Sequence, residues 1–206
     1  MPVPPWTKAA HNSDAGIPLS VALAQALSRA YIPAMLDKPA EALTETSLTA
    51  AIDPGARIGH VHLKVADIER ALAFYNGVLG FTIIQRYGPG AAFVAAGDYH
   101  HHIGLNTWES MGGEPPPRTA TGLYHLAILY PSRAALADAL RRLIKAGIPL
   151  DGASDHGVSQ ALYLRDPDQN GVELYWDRPE EEWPRNADGS LAMSTARLDL
   201  DDLLKA

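Results

Sequence analysis

The sequence predicts an α+β domain in which two copies of a βαβββ module pair their strands into a cupped mixed sheet. Three observations predict it. Histidines at positions 60 and 125 each stand at the head of a short alternating segment, and each segment is followed by an amphipathic stretch with a capping residue. Glycines then close both stretches, Gly80 at 20 residues past His60 and Gly147 at 22 past His125. A unit repeated in the same order outranks local propensity, because one short strand-helix unit cannot bury its sheet face alone.

The elements follow in chain order. After a proline-rich start, Pro18 and Ser20 open a stretch with Leu19, Leu23, Ala26, Leu27 and Ala30 at helical spacing, which Pro33 ends. A weaker helical stretch runs over 39–48, and Asp53-Pro54-Gly55 is turn chemistry. Residues 1–56 therefore read as an N-terminal helical extension with no reactive constellation. Over 58–65, Val61, Leu63 and Val65 alternate with His60, His62 and Lys64, the period of a half-buried strand. Asp67 caps a helix with Ile68, Ala71, Leu72 and Tyr75 on one stripe, and strands follow over 81–86, 91–95 and 100–107.

A Gly-Gly and proline loop over 111–118 separates the copies. The second begins with a strand over 124–130, then a helix capped by Ser132 with Leu136, Leu140, Leu143 and Ile144 inward. Strands are expected near 149–150, 161–164 and 171–176. The duplicated domain is thus 57–180, with modules 57–110 and 120–180. Residues 181–206 read as a C-terminal tail of packing or linker character, ending in a short helix over 198–204.

Composition excludes several function classes. Lys and Arg total 17 against 24 Asp and Glu, a formal charge of −7 with no basic run, which argues against nucleic acid as a partner. No stretch approaches the roughly 20 apolar residues of a membrane span. The first 20 residues lack the apolar core of a signal peptide, so a soluble, cytoplasmic protein is expected. With no cysteine, a metal can be held only by His, Asp or Glu.

The chemistry-bearing candidates are His60, His125 and Glu173, each at a strand position with apolar neighbours (Val61, Leu126, Val172, Leu174). A lone strand histidine is more often a hydrogen-bonded, partly buried residue than a ligand, but equivalent placement in two repeats changes that balance. The duplication is expected to bring both imidazoles together with the carboxylate, the 2-His-1-carboxylate triad of mononuclear non-haem Fe(II).

Here the chain resembles a known family. The string IGHVHLKVADIERALAFYNGVLGF is similar to the opening of a module in the vicinal oxygen chelate superfamily, which holds glyoxalases, bleomycin-resistance proteins and extradiol dioxygenases. AAGDYHHHIGLNTW, GLYHLAILYP and DHGVSQALYLRDPDQNGVELYWDRP look most like catechol 2,3-dioxygenases. The resemblance implies that His60, His125 and Glu173 are iron ligands, with Fe(II), or alternatively Mn(II), as cofactor. It implies a catechol-type aromatic diol and dioxygen as substrates and a homodimer as the assembly. An acid/base histidine is implied in the run 100–102; gapless matching favours His101 and strand alternation favours His102. His156 and Tyr163 match residues that hydrogen-bond substrate or bound oxygen. Glyoxalase-type sites carry a fourth ligand, a Glu, at the position that Gly104 fills here. His62, Trp108 and Trp176 are expected at the rim or in packing. The competing readings are a glyoxalase-like metalloenzyme and a metal-free binder of aromatic ligands.

Overall fold

The computed structural model describes residues 51–206, so the helical stretches expected over 18–30 and 39–48 lie outside the described residues. The chain divides into two units, Met1–Ala56 and Arg57–Ala206. In the first, the Asp53 turn is described: the Asp53 carboxylate and carbonyl accept from the backbone N–H groups of Gly55 and Ala56.

The second unit starts with β1 (Val61–Lys64), followed by α1 (Ile68–Leu72), which widens into π-helical turns over Ala73–Val78. Asp67 caps α1 by accepting from the Arg70 N–H, and Gly80 ends the turn at φ +87°. β2 (Thr82–Tyr87), β3 (Ala91–Ala95) and β4 (Ile103–Asn106) complete the first sheet in the order β1-β4-β3-β2. β1 and β4 are parallel and the other pairs antiparallel, the mixed pattern that a helical crossover imposes.

The second module repeats this with β5 (Leu126–Leu129), α2 (Arg133–Ala146), β6 (Leu150–Asp155), β7 (Ser159–Arg165) and β8 (Gly171–Asp177). Ser132 accepts from the Ala135 N–H at the N-terminus of α2, and Gly147 closes it at φ +68°. Beyond β8, β9 (Ala196–Arg197) adds to the far edge, giving β5-β8-β7-β6-β9, and α3 (Leu200–Leu203) ends the chain.

Apolar residues of α1, α2 and the inward strand positions form one core; Tyr75, Leu105, Leu136, Leu143, Leu162 and Leu174 are fully buried. Alternation leaves the opposite faces open, so His62, Lys64, Ala127 and Leu129 are exposed. The modules are joined through the turn between β7 and β8. Asp166 accepts from the Tyr75 O–H at 2.9 Å, and Asp168 takes both the Ala66 N–H and the Arg70 guanidinium.

Three details differ from the sequence reading. His60 and His125 lie one residue before β1 and β5, at the mouth of each strand. Ile144 is 60% exposed, because the buried stripe of α2 runs through Leu136, Leu140 and Leu143 and leaves position 144 outside it. The C-terminal tail is also more than linker material, since part of it joins the second sheet.

Candidate active site

The open face of the second module gathers four of the expected residues into one hydrogen-bonded run. β7 and β8 set Tyr163 directly opposite Glu173, so the Tyr163 O–H donates to Glu173 Oε1 at 3.1 Å. The other carboxylate oxygen, Oε2, lies 2.9 Å from His125 Nε2, with the two side chains 13% and 32% exposed. His156 Nε2 meets the Tyr163 hydroxyl at 2.8 Å. Burial, with the Glu173 charge beside it, pushes the Tyr163 phenol up to about 12, so it keeps its proton at neutral pH.

Gly171 lets His125 reach this position. A Cβ there would sit 2.1 Å from the Tyr124 carbonyl oxygen and 3.0 Å from the His125 Cβ, so β8 starts with a glycine where the chain leading into the parallel strand β5 runs closely beside it. His125 Nδ1 is buried without a hydrogen-bond partner, so the ring makes its polar contact through Nε2. A neutral imidazole that faces a carboxylate through Nε2 donates from that nitrogen. A cation bound by the pair would take that proton's place. An open cavity of about 220 Å³ borders His125, Tyr163 and Gly171.

The first module presents a histidine-rich counterpart. The His60 and His101 rings lie 4.4 Å apart, His101 stacks edge-on against Phe93 at 5.0 Å, and His100 Nδ1 is 2.8 Å from His101 Nδ1. Burial and the neighbouring His60, His100, His62 and His102 hold the His101 imidazolium below the usual histidine range. His102 turns elsewhere: its ring lies on Tyr99, and its Nδ1 accepts from the Ala96 N–H at 3.3 Å. His62 packs between Phe93 and Trp108.

The structure places the three expected ligands in two groups. His125 and Glu173 meet, His60 sits with His100 and His101, and no group of three or more His, Asp or Glu among the described residues is arranged to hold a metal ion. Sequence repetition establishes that His60 and His125 are equivalent, not that the modules of one chain face each other across them.

The strand registers also relate the two faces. Ala127 pairs with Glu173 in β5 and β8, and His62 pairs with Gly104 in β1 and β4. Tyr163 stands opposite Glu173 as Phe93 stands opposite Gly104. The acid and the hydroxyl of the second module are therefore a glycine and a phenyl ring in the first.

Sequence reasoning missed what surrounds His156. Its Nδ1 contacts the Ser194 carbonyl and the Thr195 hydroxyl, and Asp155 binds the Gly157 N–H, Gln160 and Arg178. No signal in the sequence marks a partner that is a backbone carbonyl.

Known proteins agree with this architecture. The chain is 41% identical over 156 residues to a catechol-2,3-dioxygenase of Bacillus subtilis, covering 75% of this chain and 53% of that protein, so it spans about half of that relative's length. A biphenyl-2,3-diol 1,2-dioxygenase of Rhodococcus globerulus is 34% identical, with coverage of 61% and 67%. Among solved structures, a glyoxylase/bleomycin resistance protein/dioxygenase domain from Frankia superposes with a TM-score of 0.51 at 26% identity, over 60% of this chain and 98% of that one. The family model described as Glyoxalase/Bleomycin resistance protein/Dioxygenase superfamily matches residues 57–174, more than half of the chain, and the chain belongs to that superfamily.

Proposed function

We propose that the protein is an Fe(II)-dependent extradiol dioxygenase, a cytoplasmic enzyme that opens the ring of a catechol-type diol with dioxygen in aromatic-compound breakdown. The observation that carries this reading is the run His125–Glu173–Tyr163–His156 on one open sheet face. The two dioxygenase relatives support the same reaction class.

An imidazole nitrogen and a carboxylate oxygen 2.9 Å apart are a donor pair suited to Fe(II), with Mn(II) as the alternative, and His60 supplies the third ligand. Bound there, Fe(II) supplies Lewis acidity toward the diol oxygens and an electron path to dioxygen. His101, 4.4 Å from His60 ring to ring, starts neutral because burial and the neighbouring imidazoles disfavour its charged form, and in this proposal it is the group that receives the diol proton. Tyr163 keeps its proton and donates to a substrate oxygen, and His156 holds that hydroxyl in place.

In this proposal His60 reaches the pair from a second copy, making a homodimer. Within one chain the modules are pinned together by the Asp166 and Asp168 contacts, and His60 stays on its own face. Tyr124, Leu129 and Trp108 are 79%, 55% and 50% exposed, apolar surface that a second copy would cover.

The glyoxalase-type reading needs a carboxylate at Gly104. A Cβ there would lie 2.7 Å from the His62 ring, which fills the space such a side chain needs. The test is anaerobic reconstitution with Fe(II) followed by catechol and air. A yellow ring-opened product is expected from the native protein and none from Glu173→Ala. Lack of colour from iron-loaded native protein overturns the dioxygenase reading; tight Zn(II) or Ni(II) with four protein ligands would favour the glyoxalase-like one.

A further inference from the structure

Two glycines flank Tyr163 on the open face of the second module, and only one of them is there for the backbone. At Gly171 a Cβ would collide with the Tyr124 carbonyl. At Gly152 a Cβ would meet no atom within 4 Å, and the φ of that residue lies outside the left-handed range. Any side chain fits position 152, so its glycine leaves space rather than relieving strain.

A bulge in β6 puts that glycine in place. Leu150 pairs with Leu164 and Gly152 with Tyr163, so Asp151 is the extra residue that slips the register by one. Without the slip, Asp151 would stand opposite Tyr163 and bring a second carboxylate beside Glu173. Instead, Asp151 Oδ2 accepts from Arg165 Nε at 2.7 Å. Residues paired across antiparallel strands share a face, so a side chain at 152 would lie on the face of Tyr163 and Glu173. Arg165, two residues along β7, shares that face.

The cavity of about 220 Å³ bordered by His125 and Tyr163 extends to Arg165 and Asp151. A benzene ring fits a cavity of about 150 Å³, so this one has room for a sizeable organic group. The first module is filled differently. Gln85 pairs with Phe93 where Gly152 pairs with Tyr163, and Ala95 stands two residues beyond Phe93 as Arg165 does beyond Tyr163.

Arg165 supplies the donors here, because the Tyr163 proton goes to Glu173. Its Nε donates to Asp151 and its Nη1 to the Gln169 carbonyl at 3.3 Å, while Nη2 makes no contact among the described residues. Asp151 offsets the guanidinium charge, so the fork offers donor geometry, which a carboxylate meets most strongly.

We propose that this cavity receives a ring substituent of the diol, a short arm ending in a carboxylate, with Arg165 as its donor and Gly152 as the position that leaves it room. The inference rests on the dioxygenase reading for a catechol as the core that enters the site. Arg165 stands about 6–7 Å along β7 from Tyr163, a span that a short arm on a catechol ring covers.

The test measures binding to the Fe(II)-loaded full chain by titration calorimetry without oxygen, where no ring opens. The probes are catechol, 3- and 4-ethylcatechol, and 2,3- and 3,4-dihydroxyphenylacetate. For at least one substitution pattern, the native protein is expected to bind the acid roughly 10- to 100-fold tighter than the ethyl diol. Arg165→Gln should bring that ratio to within about twofold of unity. Gly152→Leu should weaken both substituted diols roughly 10-fold relative to catechol. Lys145→Gln, at an exposed cation of α2, should leave the ratios at their native values.

An ethyl diol bound as tightly as the acid in both patterns overturns the inference, and that comparison needs no variant to fold. So does a folded Arg165→Gln or Gly152→Leu that keeps the native ratios. Admitting air then separates the two claims. Acid preferred in binding with no diol opened upholds the cavity assignment and removes the dioxygenase reading; catechol opened with no preference for the acid does the reverse. Failure of every diol to bind overturns both.

Discussion

Gly104 occupies in the first module the register position that Glu173 occupies in the second. Each lies on the strand parallel to the first strand of its module, opposite His62 in one case and Ala127 in the other. Duplication therefore produced two sheet faces with different chemistry, one acidic at its centre and one closed by an imidazole resting on a glycine. The first face contributes histidines and aromatic walls; the second contributes the carboxylate, the phenol and a further histidine.

That relationship predicts an unusual sensitivity at position 104. Gly104→Ala would place a methyl 2.7 Å from the His62 ring and is expected to destabilise the protein by about 1–3 kcal/mol. Urea denaturation measures it. Because the collision is with a side chain, the double variant His62→Ala/Gly104→Ala should regain most of the loss.

Tyr163→Phe removes the hydroxyl shared between Glu173 and His156 while keeping the ring. Loss of a preorganised donor of this kind lowers turnover by about 10²-fold. The expected outcome with Fe(II) and catechol is that decrease in kcat with KM little changed and the melting temperature close to native.

Tyr75→Phe probes the joint between the modules. The Tyr75 phenol is fully buried and donates to Asp166, whose carboxylate also takes the Asp168 and Asn170 N–H groups. Leaving that buried acceptor one donor short should lower stability by about 1–3 kcal/mol, read by urea denaturation. Glu173 lies seven residues beyond Asp166, so the same variant should also weaken metal retention.

Much of this arrangement was legible in the residues because its causes are local. Asp67 and Ser132 cap their helices through their own side chains, and Gly147 ends the second helix by its left-handed conformation, so each carries its signal within one turn of chain. Tyr163 entered the sequence reading only through the family resemblance; that it faces Glu173 follows from the tight hairpin turn that sets the register of β7 and β8. What stayed hidden depends on distant backbone. β9 is two residues long and joins the sheet by main-chain hydrogen bonds, which any sequence can make. Ser194 meets His156 through a carbonyl, so its side chain carries no sign of the contact. The separation of His60 from His125 and Glu173 depends on how two modules dock, and the docking contact sits in the Asp166–Asp168 turn.

The homodimer proposal makes a quantitative prediction. His60→Ala and Glu173→Ala should each abolish ring cleavage alone. Unfolded and refolded together in equal amounts, half of the dimers pair one variant with the other, and one of the two sites in each such dimer is intact. About a quarter of native activity should return on a shared-site arrangement with random pairing. A site built within one chain would regain none.

Catechol given to the Fe(II)-loaded full chain under ¹⁸O₂, with the product read by mass spectrometry, decides whether these side chains serve a dioxygenase. The expected product is a ring-opened semialdehyde carrying oxygen from dioxygen, formed by the native protein and absent with Glu173→Ala. An iron-loaded native protein that leaves catechol intact, or opens it with oxygen drawn only from water, overturns the dioxygenase reading.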